Sequence, residues 1–259
     1  MTIQSIAQNQ MSPAMQRLAS GNRINSAADD AAGLAIMETM TAELRGLDQG
    51  TSNTLDMQNL VTTADGGLDT VGDSLNRIRE LSVQALNDTN TPANRQMIQN
   101  EITQLADHIQ STVSNVEFNG RNLLDGSAQG LNTASGPDGT GATVSINDMS
   151  SLAQAVANFN VTGSFNLNDI DDALTEVNSQ RAELGAMMNR FDHTANANSV
   201  TSLNMADARS RIADADMAAE MAQLSQERVI NEMEVLMQQQ QQDQVEREGQ
   251  TVLAAGGVQ

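Results

Sequence analysis

The sequence predicts a mainly α protein in which both chain ends form a long antiparallel helical hairpin or coiled-coil bundle around a small β-hairpin-containing central insert. Three observations predict it. Apolar residues recur at steps of three and four over long stretches at both ends, which lines one helix face for a partner helix. The three prolines, Pro13, Pro92 and Pro137, leave those stretches unbroken. The pattern fails only in the middle, where Asn-Gly and Asp-Gly dipeptides and Gly-, Ser- and Thr-rich runs take over.

In chain order, Val61, Ala64, Leu68, Val71, Leu75, Ile78, Ser82 and Ala85 form the first stripe, and only Ser82 is polar. One helix is predicted from Asp30 to about Asn87. Gly66, Gly67 and Gly72 each weaken it by roughly 1 kcal/mol relative to Ala, so tertiary packing must hold it. Residues 87–92 read as a turn whose Pro92 suits the first position of a new helix. That helix carries Ile98, Ile102, Leu105, Ile109, Val113 and Val116 on one side. Residues 117–126 hold two turn dipeptides, Asn119-Gly120 and Asp125-Gly126, around Leu123-Leu124, a hairpin signal.

Residues 130–141 read as an exposed loop and 142–146 as a short strand, while 151–163 is ambiguous between helix and strand. From Asp169 the helical period returns, with Ile170, Leu174, Val177, Leu184, Met188 and Phe191 on a stripe that Arg181 interrupts. Helical character continues to about Met237. The Gln238–Gln242 run then either extends a helix or stays disordered, before a small-residue tail, Gly256-Gly257-Val258-Gln259. The ends must pair, because a lone helix of this composition is marginal in water. The predicted helical seam comprises Val61, Leu68, Val71, Leu75, Ile78, Ile170, Leu174, Val177, Leu184 and Phe191.

Composition narrows the function. The chain has 259 residues, a formal charge of −20 and 2% aromatics, with no Trp and no Tyr. Apolar content is aliphatic and Met-rich, which suits narrow helical seams better than a thick core. No basic stripe is present for nucleic acid, and anionic membrane surfaces are disfavoured for the same reason. All thirteen cations are Arg, a bias that fits adaptation to high salt or drift in base composition. The absence of Cys excludes disulfides and thiolate metal sites. The N-terminus lacks the basic-then-apolar pattern of a signal peptide, and no stretch approaches the ~18 apolar residues of a membrane span.

Each candidate chemical feature has a bland reading that outweighs it. His108 and His193 lack partners at ligand spacing and read as surface or interface residues. Asp65, Asp69 and Asp73 share a helix face, where calcium ligation is unsuited because it needs a turn; a solvated or subunit-facing acidic stripe is favoured. Gly136-Pro137-Asp138-Gly139-Thr140-Gly141 lacks the Gly-Lys-Ser/Thr end of a phosphate loop and reads as a turn. Met217, Met221, Met233 and Met237 read as adaptable packing. No nucleophile–base pair, metal set or cofactor motif is found, so no enzymatic activity and no cofactor are expected.

Four blocks carry a resemblance. Residues 18–36, LASGNRINSAADDAAGLAI, closely resemble the N-terminal signature of bacterial flagellins. Residues 76–85, NRIRELSVQA, look like a second flagellin block; 117–124, EFNGRNLL, look like the family's short hairpin; and 208–221, ARSRIADADMAAEM, resemble its C-terminal block. The resemblance implies an inner-core N-terminal helix and linker at 1–32 and outer-core helices with a hairpin at 33–125. It further implies a short variable insert at 126–166, a C-terminal outer-core helix at 167–212, and an inner-core helix with an atypical tail at 213–259. Only seventeen residues precede Leu18, and the Gln run stands where the family usually has an apolar finish.

By the same resemblance, the chain is an extracellular filament subunit, exported without a cleaved signal peptide, whose main partner is itself. A flagellar export chaperone, cap and junction proteins are further implied partners. Subunit packing or Toll-like receptor contact is implied at Arg77, Arg79, Leu81, Gln84 and Glu101. The alternatives are a hook–filament junction protein, a flagellin paralogue that does not polymerise and, from another class, a soluble adhesin or immune ligand that never polymerises.

Overall fold

The computed structural model describes residues 13–255; the N-terminal residues 1–12 and the tail at 256–259 lie outside the described residues. Among the described residues six helices and four short strands follow in order: α1 (Pro13–Ser20), α2 (Ala31–Ala85), α3 (Pro92–Asn115), β1 (Glu117–Phe118), β2 (Arg121–Asn122), β3 (Leu131–Ala134), β4 (Gly141–Val144), α4 (Ser150–Ala157), α5 (Asn168–Ala213) and α6 (Met217–Ala255). They fall into two compact units, one of residues 1–41 with 205–259 and one of residues 42–204. Helices α2 and α5 each contribute to both.

The 42–204 unit holds the main core. Val61, Ala64, Leu68, Val71, Leu75, Ile78, Ser82 and Ala85 are all buried, as the stripe predicts. Ser82 is tolerated there because its hydroxyl donates back to the Ile78 carbonyl at 2.7 Å, which satisfies a group that would otherwise be costly to bury. Gly67 belongs to the same packing. A Cβ there would come within 2.8 Å of the Val116 side chain and 3.2 Å of Leu124, so its low helix propensity is offset by the close approach it permits.

Thr91 caps α3, its hydroxyl accepting from the Asn94 N–H at 3.2 Å, with Pro92 at the first helical position. This is the arrangement that leaves the fewest orphan donors at a helix start. The buried line of α3 is Ile98, Ile102, Ala106, Ile109 and Val113; Leu105 and Val116 are half-buried.

β1 and β2 pair antiparallel, with Glu117 opposite Asn122 and Phe118 opposite Arg121. Asn119 (φ 52°) and Gly120 (φ 73°) form the two-residue turn, the left-handed pair that matches strand twist.

Residues 130–141 correct the exposed-loop reading. Leu131–Ala134 is a strand, paired antiparallel with Gly141–Val144 from Leu131 opposite Val144 to Ala134 opposite Gly141. The turn between them has Pro137 at its second position, and the Gly139 N–H reaches the Gly136 carbonyl at 3.1 Å. Its base is held by side-chain amides, Asn53 donating to the Ala134 carbonyl at 2.9 Å and Asn198 to the Ser135 carbonyl at 2.8 Å. The ambiguous 151–163 stretch resolves into a helix, Ser150–Ala157, followed by an irregular segment. Gln99 on α3 pins that segment, accepting from the Val161 N–H at 2.8 Å and donating to the Phe159 carbonyl at 3.0 Å.

Candidate assembly surface

In the 42–204 unit the predicted seam is a packed interior. Nine of its ten residues are buried and Leu174 is half-buried. The buried line on α5 runs Ile170, Ala173, Val177, Gln180, Leu184, Phe191. It therefore passes through Gln180, and Arg181 stands beside it. Arg181 donates from Nε to Asp65 at 3.0 Å and pairs through a terminal nitrogen with Asp69 at 2.7 Å. The hydrogen bond to Asp65 holds its guanidinium above the ordinary value. The stripe of Asp65, Asp69 and Asp73 is thus split: half-buried Asp65 and exposed Asp69 clamp the arginine of the facing helix, and Asp73, also exposed, lies one turn beyond them. The sequence carried the signal for this triad in two acids one helical turn apart and one cation interrupting an apolar stripe.

The residues implied by resemblance lie near the end of α2. Arg77 donates to Glu101 on α3 at 2.9 Å and to Glu80 at 3.0 Å. The bond to Glu101 is the larger cause of its raised pKa. Arg79 pairs with Asp171 at 2.6 Å, which likewise raises its pKa. Leu81 is buried in its own chain's core, and Gln84 is exposed. His108 and His193 are exposed on α3 and α5.

The other unit is built around a backbone clasp. The Arg23 N–H donates to the Ala213 carbonyl at 2.6 Å and the Ala215 N–H to the Gly21 carbonyl at 3.0 Å, flanking an antiparallel bridge between Asn22 and Asp214. The Arg23 guanidinium adds a bond to the Ile212 carbonyl at 2.8 Å. Ile24, Met37 and Ala213 form a small core beneath it, with Leu34 and Ile212. Asp30 caps α2, its carboxylate accepting from the Gly33 N–H at 2.8 Å. Asp29 instead folds back onto the Asn25 and Ser26 backbone at 3.1 and 2.9 Å. Those bonds, the one from Asn25 first, lower its pKa below the ordinary 3.8.

Asp216 starts α6 by accepting from the N–H groups of Ala218 and Ala219. The α1–α6 contact centres on Arg17 and the buried Glu220, 3.3 Å apart. Beyond Glu220, α6 changes character. Val229, Ile230, Met233, Leu236 and Met237 are all exposed. At about 100° per residue they share one face, roughly 150° around the helix from Met217, Met221, Leu224 and Val235, of which Met217, Met221 and Val235 are also exposed. The Gln238–Gln242 run is helical, and its side chains are exposed. Sequence reading singled out only the methionines of this stripe; the aliphatic residues between them complete it.

Two family models match this chain. The bacterial flagellin N-terminal helical region covers residues 1–129, and the bacterial flagellin C-terminal helical region covers residues 167–246. The chain belongs to the bacterial flagellins. A flagellin of Halalkalibacterium halodurans is 38% identical over 232 residues, covering 86% of this chain and 85% of the relative. A flagellin of Bacillus subtilis is 37% identical, with 84% of each chain covered. A Treponema maltophilum protein named a flagellar filament core protein is 34% identical over 90% of this chain and 88% of its own.

Among solved structures, Bacillus cereus flagellin matches with a TM-score of 0.52 at 29% identity, over 61% of this chain and 94% of that one. A hook-associated protein from Vibrio parahaemolyticus shares the fold, with a TM-score of 0.57 at 20% identity, over 72% of this chain and all of that one. Both family-model matches stop short of the insert between residues 129 and 167, where this flagellin has only the β3–β4 hairpin, α4 and the irregular segments around them. Among the described residues, no helix is long and apolar enough to cross a membrane.

Proposed function

We propose that this flagellin acts as a structural subunit that polymerises with copies of itself into a hollow helical filament for motility. The observation that carries this reading is the uncovered apolar face of α6. A helix of this length gains most of its stability from tertiary packing. Burying one of its Val, Leu, Ile or Met side chains contributes about 1.5–3 kcal/mol. Five such side chains on one face are more than a solvated helix needs, and neighbouring subunits supply the cover. Head-to-tail contacts that do not close on themselves extend such packing into an open helical polymer.

Export fits the same chemistry. A Cys-free chain whose terminal helix, among the described residues, leaves its distal apolar side chains exposed leaves the cell unfolded without disulfide traps, and it orders at its destination. An export chaperone and the cap and junction proteins are the partners this route requires. Arg77, Arg79, Gln84 and Glu101 are presented for subunit packing. A Toll-like receptor contact would use Arg77 and Glu101, since Leu81 is covered by its own chain. A non-catalytic role is supported by relatives named as flagellins and filament core proteins.

The fold shared with the Vibrio hook-associated protein favours one second reading, a junction protein present in few copies. Electron microscopy of the purified protein at several salt concentrations tests the proposal. Filaments support the subunit role, and monomers at every salt support the second reading. Deleting about the last forty residues should abolish filaments and leave a soluble helical monomer.

A further inference from the structure

We infer that Met233 and Met237 form an oxidant-sensitive site through which peroxide blocks assembly. The inference rests on the reading of α6 as the assembly surface. The chain has no Cys, Tyr or Trp, so its fifteen methionines are its most readily oxidised side chains. Among the described residues they range from fully buried through half-buried to exposed. Met149 is 0% exposed in the core of the 42–204 unit, whereas Met233 and Met237 are 62% and 64% exposed. The latter two lie one helical turn apart, on the same face, among Val229, Ile230 and Leu236. Their thioethers therefore meet solvent in the free subunit and lie within the stripe that must be buried in the polymer.

The chemistry is a two-electron oxygen transfer. Hydrogen peroxide, or an organic hydroperoxide, breaks its O–O bond and delivers one oxygen to sulfur. The thioether becomes a sulfoxide and the peroxide is reduced to water or an alcohol. The product is polar and chiral where the reactant was flexible and apolar. Two sulfoxides on one helical face must be desolvated if that face is to pack, and burying a polar group without a hydrogen-bond partner is unfavourable. Assembly weakens while the core around the fully buried Met149 stays folded.

The test treats the purified full chain with hydrogen peroxide while it is monomeric, maps the added oxygen by peptide mass spectrometry, removes the oxidant and measures pelletable filament. The expected result is sulfoxide at Met233, Met237, the 69% exposed Met97 on α3 and the 48% and 59% exposed Met217 and Met221 on the other side of α6, none at Met149, and a loss of filament of roughly tenfold or more. M233L/M237L keeps volume and apolarity, so it should assemble equally well before and after treatment. M97L should remain as sensitive as the parent. The inference is overturned if the parent assembles normally with both sulfoxides in place, if M233L/M237L loses assembly to the same degree, or if M97L alone confers resistance. Failure of the untreated chain to form filaments would overturn the subunit reading, and this inference with it.

Discussion

The stretch of α2 from Val61 to Ala85 and the stretch of α6 beyond Glu220 are both long, regular helix, yet they meet opposite surroundings. The first buries every third or fourth residue against α3, α5 and the segment after the hairpin. The second leaves Val229, Ile230, Met233, Leu236 and Met237 exposed. Helical periodicity is present in both, so periodicity alone does not tell a helix that completes its own core from one that waits for a neighbour. The difference lies in what the rest of the chain supplies. α2 faces two antiparallel helices rich in aliphatic residues, while among the described residues the distal part of α6 faces none.

The sharpest way to break this comparison is to truncate one side chain in each region. Phe191→Ala, in the buried line facing α2, should lower unfolding free energy by about 3–5 kcal/mol, seen as an earlier denaturant midpoint of the monomer. Leu236→Ala should change monomer stability by less than ~0.5 kcal/mol and reduce filament yield. If Leu236→Ala destabilises the monomer as much as Phe191→Ala, the distal helix has an intrachain partner and the contrast fails.

A smaller effect is expected at the clamp. Arg181→Leu leaves Asp65 and Asp69 one turn apart without their shared cation. The three groups are partly exposed, so the loss should be about 1–2 kcal/mol, with most of it recovered in the triple variant that also carries Asp65→Asn and Asp69→Asn. Thr91→Ala, which removes the α3 cap, should cost about 1 kcal/mol, readable in the same denaturation experiment.

The mildest effect concerns pH in the unit of residues 1–41 and 205–259. The folded pKa of Asp29 is held below the ordinary 3.8 by its bonds to the 25–26 backbone. The stabilisation is thus fully present above that ordinary value and is lost as pH falls through the lowered one. Amide exchange at Asn25 and Ser26 should accelerate in that acid range, relative to the same amides in Asp29→Asn, which should show no such step.

Much of this architecture was legible in the sequence because its dominant signal is repetitive. The helix predicted from Asp30 to about Asn87 runs from Ala31 to Ala85, and the 3–4 spacing from Val61 to Ala85 marks its packed half. Asn119-Gly120 placed the first hairpin, because few residues other than that pair adopt two successive left-handed conformations cheaply. The line on α5 was harder. With 3.6 residues per turn, Ala173 and Leu174 compete for the same inward position, and the smaller residue takes it where the helices approach. Residues 131–134 read as loop because the 130–141 stretch is rich in Gly, Ser, Thr and Asn; their pairing depends on β4 and on the amides of Asn53 and Asn198, which sit far away in sequence. The turn at Pro137-Asp138-Gly139 was the usable signal there. The assembly stripe on α6 was legible only in part, since exposure is a property of the fold and not of the helix itself.

Hydrogen exchange on one preparation before and after polymerisation tests the central claim most directly. The account predicts that amides of residues 61–85 exchange slowly in both states, whereas those of residues 225–245 exchange quickly in the monomer and slowly in the filament. Slow exchange at 225–245 in the monomer, or unchanged fast exchange there in the filament, would contradict it.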